Sequence, residues 1–352
     1  MRRAGEGRAP GAPNIFSLPD EPRLPPINYN SPRLLLSFFL LRPASAILCH
    51  PEDKEVLLRI KSSLNNPYLL ASWDPDADCC YWYCLKCHYK THRVISLFFL
   101  AYDLPGQIPS AIGDLTYLQS LTLHKLSNFT GPIPESFTKL KYLNFLSLSW
   151  LNLTGPIPSF LGQLKNLTCL NLSFNKLTGS IPDSLSTIPG LGYVGLDRNQ
   201  LTGKIPASLA NLKGNDLYLI LSHNSLSGEL PATFAGVDFG KLDLSRNRLQ
   251  GDASLVLGRN KSTYHIDISR NQFEFDLSKV DFNESLTTLD MNHNKIYGSI
   301  PKAMAGLEFQ LLNVSYNRLC GEIPVGGRLQ SFDYTVYFHN RCLCGAPLDS
   351  CK

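Results

Sequence analysis

The sequence predicts an α/β solenoid of ten stacked coils, each of which adds one short strand to a parallel sheet on a concave face. The string L-x-L-x-x-N-x-L-x-G-x-I-P carries this prediction, because it recurs at intervals of 23 to 25 residues in the 352-residue chain. Cysteines cluster at both ends of the repeats, where a solenoid needs caps. This period and leucine pattern are typical of leucine-rich repeats, which build a right-handed superhelix.

Each coil is located by the first apolar residue of its strand. These residues are Leu97, Leu121, Leu146, Leu170, Val194, Leu219, Leu242, Ile266, Leu289 and Leu312. In the fourth coil, Leu170 and Leu172 point inward at alternate strand positions, and Asn175 turns inward to bond backbone groups of the next coil. Because no coil can bury its own apolar face, the stacked coils are expected to share one continuous core.

Four coils depart from the pattern. Tyr102, Leu126 and Leu151 occupy the asparagine position of the first three coils. Residues 251–254 (GDAS) replace G-x-I-P in the seventh coil. We expect these four coils to be locally irregular.

The chain before the repeats divides into a leader and a cap. Residues 34–41 (LLLSFFLL) are apolar, and Ala44, Ser45 and Ala46 offer the small residues that a signal peptidase accepts. We therefore interpret residues 1–46 as a leader and signal peptide of a secreted protein. A start site assigned too far upstream is the alternative, and it leaves the mature chain unchanged. No apolar run approaches the ~20 residues of a membrane helix, so no membrane span is expected.

The remaining chain is predicted to form a cap, the repeats and a second cap. Residues 47–93 form the N-terminal cap, in which Glu52 to Leu64 has apolar residues at helical spacing. We expect this helix to lie over the first coil beside Trp73. Residues 94–318 contain the repeats, and the cysteine-rich residues 319–352 close the last coil.

The ten cysteines also bear on cofactors. Only Cys169 lies in the middle of the chain, so in a secreted protein the others indicate disulfide-bonded caps. A zinc site is the alternative for Cys84, Cys87, His88 and His92. We disfavour zinc because an oxidising compartment favours disulfides and no second ligand pair lies at zinc-ribbon spacing. No metal or other cofactor is predicted.

Charge and motifs favour a binding protein over an enzyme. The net charge of +4 falls to +1 without residues 1–46, so basicity gives no reason to expect a nucleic acid partner. The G-x-G-x-x-G match at residues 190–195 lies inside a repeat and does not open a helix. Asp243, Asp267 and Asp290 recur in register, but a repeated polar face explains them more simply than a paired-carboxylate hydrolase does. We expect a monomeric binding protein.

Strand side chains that point away from the core define the predicted partner-binding face. The column four positions after each first apolar residue contains Ala101, Lys125, Trp150, Phe174, Arg198, His223, Arg246, Arg270, His293 and Tyr316. Neighbouring columns add Phe98, His124, Phe145, Tyr193, Tyr218, Lys241, His265 and serines at Ser149, Ser173, Ser222, Ser245, Ser269 and Ser315. Aromatic residues and arginine dominate protein interfaces. Ten strands ~4.8 Å apart form a strip of about 45 Å, enough for a standard interface. The alternative is that exposed strands simply favour Tyr and Phe.

Seven N-x-S/T sequons agree with secretion. Five of them are expected to carry glycans: Asn128, Asn152, Asn166, Asn260 and Asn283. Asn171 and Asn313 fall on the concave face, where a glycan would obstruct a partner. We therefore expect these two sites to be poorly occupied.

The cap sequences resemble those of the plant polygalacturonase-inhibiting proteins. The resemblance is carried by residues 78–84 (DCCYWYC), 251–254, 316–321 (YNRLCG) and 338–347 (FHNRCLCGAP), and it covers about residues 48–352. It implies a defence protein of the apoplast and plant cell wall that binds fungal endo-polygalacturonases through its concave face and inhibits their pectin cleavage. It also implies four disulfides: Cys49 to Cys79, Cys80 to Cys87, Cys320 to Cys342 and Cys344 to Cys351.

Other binding functions stay open. A receptor or co-receptor ectodomain is disfavoured because the sequence ends at Lys352 without a membrane span. An ice-binding wall protein requires regular threonine or asparagine columns, whereas the concave columns are irregular and aromatic. Pectin, as polygalacturonate, is a further candidate partner. His124, His223, His265 and His293 share the concave face and are expected to become charged as the pH falls toward ~5.

Overall fold

The recurrent leucines place ten parallel strands side by side. The structure is a computed structural model that describes residues 49–104, 106–214 and 216–352, so the predicted leader lies outside the described residues. The concave strands are Val94–Leu100, Ser120–His124, Phe145–Ser149, Cys169–Asn171, Tyr193–Gly195, Leu217–Ile220, Phe239–Asp243, His265–Asp267, Thr288–Asp290 and Leu311–Asn313. A further strand, Leu85–Cys87, pairs antiparallel with the first of them. Every predicted first apolar residue is buried in its strand, which confirms the solenoid and its ten coils.

A second sheet, which the repeat pattern does not predict, is formed by the L-x-G part of each repeat. Its eight strands are Gly106–Gln107, Phe129–Gly131, Asn152–Pro156, Lys176–Gly179, Gln200–Gly203, Ser225–Glu229, Arg248–Gly251 and Gln272–Phe273. The later repeats and the C-terminal cap form a separate three-stranded sheet. Its strands are Tyr297–Gly298, Arg318–Glu322 and Cys342–Cys344. The repeat glycine has a positive φ, for example 75° at Gly179, which glycine adopts without steric cost.

Short 3₁₀ helices return the chain to the next concave strand. Most begin directly after the proline of I-P, and their central apolar residues, such as Leu161 and Leu185, are buried. Those of the repeats are Ser110–Asp114, Glu135–Lys139, Ser159–Gln163, Asp183–Thr187, Ala207–Asn211, Ala232–Gly236, Ser254–Val256, Leu277–Lys279 and Lys302–Gly306. The caps add Tyr68–Leu70, Cys79–Tyr81, Leu329–Ser331 and Tyr334–Val336.

Inward asparagines bind adjacent coils together. The Asn199 Nδ2 donates to the carbonyl oxygens of Leu172 and Leu196 at 3.0 and 3.1 Å, and its Oδ1 accepts the Leu177 N–H at 3.0 Å. The same arrangement recurs at Asn175, Asn224, Asn247, Asn271, Asn294, Asn317 and Asn340. Because Leu172 and Leu177 precede Asn199 by one coil, the expectation that these asparagines bond the next coil is wrong.

The expectation of irregular coils is wrong for the first three coils and confirmed for the seventh. Leu126 and Leu151 are buried, so an apolar side chain fills the asparagine position. The first three concave strands are also regular and pair at five positions each. In the seventh coil, the 3₁₀ helix shortens to three residues, and Lys261 donates to the carbonyl oxygens of Ala235 and Val237.

The predicted N-terminal helix is present as Pro51–Ser63, here called the cap helix. Its Leu57 and Ile60 are completely buried, and the buried Trp73 stacks on Trp82 with ring centroids 5.6 Å apart. The structure adds a buried carboxylate on this helix. Asp53, which is 1 % exposed, accepts from both Nε and Nη2 of Arg93 at 3.0 and 2.7 Å. This ion pair attaches the cap helix to the chain just before the first concave strand.

The C-terminal cap begins as a partial eleventh coil. The Tyr316 N–H donates to the Phe338 carbonyl at 3.1 Å, and Asn340 accepts the Leu319 N–H at 3.0 Å. The strand Arg318–Glu322 crosses the proposed boundary between residues 318 and 319. The last repeat and the cap therefore share a strand.

Four disulfides close the caps and join the cysteines that the family resemblance implies. They are Cys49–Cys79, Cys80–Cys87, Cys320–Cys342 and Cys344–Cys351. The thiols of Cys84 and Cys169 are free, and burial raises the pKa of each to about 12. Because Cys87 is bonded to Cys80, the zinc alternative loses one of its thiolates. No helix among the described residues is long and apolar enough to cross a membrane.

The glycosylation predictions meet one contradiction. Asn128, Asn166 and Asn260 are exposed and Asn152 is half-buried, so these sites stay predictions. The Asn283 side chain is only 1 % exposed, so a glycan on it is incompatible with this fold. The sequon is a local tripeptide pattern and carries no information about burial.

Candidate partner-binding face

The residues four positions after each first apolar residue share one backbone conformation, and we call them the outer column. The φ angles of the ten residues lie between 51° and 57°, in the left-handed region. Each backbone N–H donates to a carbonyl of the next coil, as from Arg198 to Ser222 and from Arg246 to Ser269, both at 2.9 Å. The hydrogen-bond ladder between coils therefore fixes the direction in which these side chains leave the backbone.

In the N-terminal half, outer-column side chains stack on one another. The rings of Trp150 and Phe174 lie 3.7 Å apart between centroids and 13° from parallel. The Lys125 ammonium lies 5.9 Å from the Trp150 ring, and the Arg198 guanidinium lies 4.9 Å from the Phe174 ring. The structure thus brings four predicted site residues into one cation–aromatic stack.

The C-terminal half carries a second stack. His293 lies 4.0 Å from Tyr316, and Tyr316 lies 4.4 Å from His339, between ring centroids. His339 lies beyond the tenth repeat and was missed, although residues 338–340 (FHN) repeat the end of the strand pattern. Between the two stacks, Arg246 and Arg270 are exposed and His223 is half-buried.

A tyrosine row lies one strand position before the first apolar residues. Tyr193 and Tyr218 have ring centroids 6.2 Å apart, and the Tyr264 hydroxyl donates to the Tyr218 hydroxyl at 3.1 Å. The repeat pattern does not identify Tyr264, because it lies two positions before Ile266 and outside the outward-facing strand positions. Other predicted residues of this row are half-buried: Phe145, Lys241 and His265.

The serines predicted to face solvent are buried. Ser149, Ser173 and the four equivalent serines are 3–5 % exposed. Ser173 donates to the Asp197 carboxylate, and the Ser149 Oγ lies 2.8 Å from His124 Nδ1. The alternation of strand side chains does not extend to these positions, because the backbone turns into the left-handed conformation at the next residue.

The titration of the face differs from expectation. Burial lowers the pKa of His265 to about 4, with a further contribution from Lys241. Burial also lowers the pKa of the other three histidines: His124, His223 and His293. The expectation that all four become charged near pH 5 is therefore wrong for His265 and weakened for the others. By contrast, burial raises the pKa of Asp267 to about 6 and raises that of Asp197 and Asp290.

Asp267→Asn is expected to stabilise the protein at pH 7. The pKa of Asp267 in the folded protein lies above its ordinary value, so protonation of this carboxylate favours the folded state. This stabilisation is fully present below about pH 4 and is lost as the pH rises through about 6. Asparagine keeps an acceptor for the Ser269 N–H, which lies 2.9 Å from Asp267 Oδ1. The gain should be about 1–3 kcal/mol at pH 7 and vanish near pH 4. Urea unfolding at both pH values measures it, and a pH-independent difference would contradict this account.

The fold defines a leucine-rich-repeat protein whose concave face carries aromatic and basic side chains. Residues 50–88 match the leucine rich repeat N-terminal domain, and residues 166–188, 217–237 and 285–307 match the Leucine Rich Repeat family. Polygalacturonase inhibitor 2 of Arabidopsis thaliana is 63% identical over 322 residues, 91% of this chain and 98% of the relative. Polygalacturonase inhibitor of Vitis vinifera is 60% identical over 324 residues, 92% and 97% of the two chains. The chain belongs to the polygalacturonase-inhibitor family, which confirms the resemblance seen in the caps.

The fold also matches a solved structure described as a plant ice-binding protein. That structure is 49% identical in sequence and superposes with a TM-score of 0.85. The match covers 86% of this chain and 98% of the other. A second function class therefore shares the same coil architecture.

Proposed function

We propose that this chain is secreted into the plant cell wall, binds fungal endo-polygalacturonases with its concave face and inhibits them, so that pectin degradation is limited. Membership of the inhibitor family supports the activity. The left-handed backbone conformation of the outer column supports the assignment of the concave face as the binding surface. The chain acts by non-covalent binding and not as an enzyme.

The observation that carries the choice of face is the set of ten left-handed residues in the outer column. This conformation costs an ordinary residue on the order of 1 kcal/mol, whereas glycine and asparagine adopt it more readily. None of the ten residues is glycine or asparagine. Selection for stability alone would favour those two residue types, and strain of this kind concentrates at functional sites. We infer that these residues are retained in the outer column because their side chains contact a binding partner.

The chemistry of the column fits a folded protein partner. Trp150 and Phe174 are large, stiff groups already held in a stack, so little side-chain entropy is lost when a partner covers them. Arg246 and Arg270 are exposed between the two stacks and can each bind a carboxylate in a bidentate manner. A partner seated across this face has its substrate cleft blocked sterically.

Arg246→Asn, Arg270→Asn is expected to weaken inhibition without harming the fold. Each arginine–carboxylate contact is worth about 1.5–3 kcal/mol, so the inhibition constant should rise at least about 10-fold. Asparagine suits the left-handed backbone at both positions, so the melting temperature should be unchanged or higher. Titration against a fungal polygalacturonase, with pectin cleavage as the readout, gives the first quantity, and a thermal melt gives the second.

Arg248→Asn is the matched control, because Arg248 is an exposed arginine on the second sheet. It should inhibit like the parent. Unchanged inhibition by the double variant would exclude this part of the face. Binding without inhibition by the parent would favour the alternative, a recognition protein or co-receptor ectodomain.

We also propose that polygalacturonate binds the concave face more strongly at pH 5 than at pH 7. Protonation of Asp267 removes negative charge beside Asp243 and Asp290 over this range, whereas His265 stays neutral. Retention on immobilised polygalacturonate should therefore rise as the pH falls and decrease with added salt. Asp267→Asn should flatten this pH dependence, while His223→Gln, His293→Gln should keep it. If the histidine variant loses the pH dependence of retention and Asp267→Asn keeps it, the histidines cause the effect.

Ice binding is the second candidate function, because the second sheet carries a regular hydroxyl column. Its exposed members are Thr130, Thr154, Thr178 and Thr202. The register pairs Thr130 with Asn152 and Thr154 with Lys176, so successive threonines are diagonal neighbours, about 7–8 Å apart. The irregularity that argued against ice binding concerns the concave columns only. However, Thr130 and Thr154 belong to the sequons of Asn128 and Asn152, so glycans there would lie beside the column. Ice-crystal shaping by the purified chain, with and without glycans, distinguishes this candidate.

A further inference from the structure

Two exposed tyrosines outside the concave face are stacked on each other. The rings of Tyr117 and Tyr142 lie 5.5 Å apart between centroids and 13° from parallel. Their side chains are 43 % and 53 % exposed. Neither phenol oxygen makes a hydrogen bond within the part of the chain that the structure describes. Both rings are therefore close to each other and open to reagents in solution.

The repeat geometry holds this pair together. Tyr117 and Tyr142 occupy the same position in successive coils, four residues before Leu121 and Leu146. The backbone two residues after Tyr117 is fixed by a hydrogen bond from the Gln119 N–H to the Ile95 carbonyl at 2.8 Å. The Asn144 N–H in turn donates to the Gln119 carbonyl at 2.9 Å. The Arg93 guanidinium also lies 4.3 Å from the centroid of the Tyr117 ring.

Two other tyrosine pairs among the described residues lack this combination. Tyr193 is half-buried, and its ring is tilted by 30° from that of Tyr218 at 6.2 Å. Tyr218 and Tyr264 meet edge-on at 71°, and their hydroxyls are hydrogen-bonded. Only the pair outside the concave face combines a parallel stack with two exposed, unbonded phenols in the described residues.

We propose that Tyr117 and Tyr142 are a site of oxidative cross-linking, where a haem peroxidase with hydrogen peroxide joins them into dityrosine. The peroxidase takes one electron and the phenolic proton from each ring, which leaves two phenoxyl radicals. The radicals couple through one carbon ortho to each oxygen, and the ortho hydrogens then move to the oxygens. One C–C bond forms, two C–H bonds are lost, and the peroxide becomes two waters. The product joins the second and third coils covalently.

The test oxidises dilute, disulfide-intact protein with a haem peroxidase and hydrogen peroxide. We expect dityrosine fluorescence, loss of two hydrogen atoms from the mass of the monomer, and a peptide map that links Tyr117 to Tyr142. Tyr142→Phe keeps the stacked ring but removes one phenol, so it should lower the intramolecular yield at least tenfold. Tyr264→Phe, the matched control on the concave face, should leave the yield unchanged.

Three outcomes would overturn the proposal. The first is a main cross-link between Tyr218 and Tyr264. The second is mainly intermolecular coupling through other exposed tyrosines, such as Tyr68 and Tyr81, which are 86 % and 80 % exposed. The third is an unchanged intramolecular yield in Tyr142→Phe. The measurement does not depend on polygalacturonase inhibition, so the proposed function and this site can fail separately.

Discussion

Leu172→Asp is expected to prevent the fourth coil from folding and to leave little native protein at 25 °C. Leu172 is completely buried between neighbouring coils. Loss of a buried leucine side chain costs about 2–5 kcal/mol, and an unpaired carboxylate in its place adds several kcal/mol. Domains are stable by only about 5–15 kcal/mol. Because each coil stabilises its neighbours, the damage should spread along the array.

Two further aspartate substitutions, Ser173→Asp and Thr178→Asp, are to be compared with Leu172→Asp, because the three positions differ in burial. A serine that faced solvent would tolerate aspartate, but Ser173 is 5 % exposed and donates to Asp197. A second carboxylate at that position removes the donor and repels Asp197, so we expect a loss of about 1–3 kcal/mol. Thr178 is exposed on the second sheet, and its replacement should change stability by no more than about 0.5 kcal/mol. Thermal melts rank the three variants, and equal losses for Ser173→Asp and Thr178→Asp would contradict the burial of the serine column.

The register of the concave sheet was predictable because it depends on a local pattern that is repeated ten times. Leu170 and Leu172 alternate inward, and a shift of one residue would expose both. The second sheet was not predictable in the same way. Its strands contain two to five residues, too few for a periodic signal, and their hydrogen bonds exist only because neighbouring coils are stacked.

The chemistry of the concave face was predictable in composition but not in detail. Trp150, Phe174 and Arg198 lie on the face as expected, because the repeat determines which positions leave the core. Their mutual stacking depends on the left-handed turn, which a strand pattern does not reveal. The low pKa of His265 and the raised pKa of Asp267 depend on burial by neighbouring coils, and the sequence of one coil does not contain this information.

Arg93→Ala is expected to destabilise the N-terminal cap by about 3–5 kcal/mol, because it leaves the buried carboxylate of Asp53 without its partner. Asp53 is 1 % exposed and, besides its bonds to Arg93, accepts the Val94 N–H at 2.7 Å. Arg59→Ala is the matched control. Arg59 also links the cap helix to an aspartate, Asp114, at 3.0 Å, but its side chain is 52% exposed. A surface pair of this kind is worth about 0–1 kcal/mol.

Denaturant unfolding of the two single variants tests whether burial makes the difference. A double variant, Asp53→Asn with Arg93→Met, separates the buried charge from the lost contacts of the arginine. Asparagine still accepts the Val94 N–H and methionine fills part of the volume, so no charge is left buried and most of the lost stability should return. If Arg93→Ala costs no more than Arg59→Ala, water reaches Asp53 in the folded protein. If the double variant is as unstable as Arg93→Ala, packing of the arginine against Tyr117 is the larger contribution.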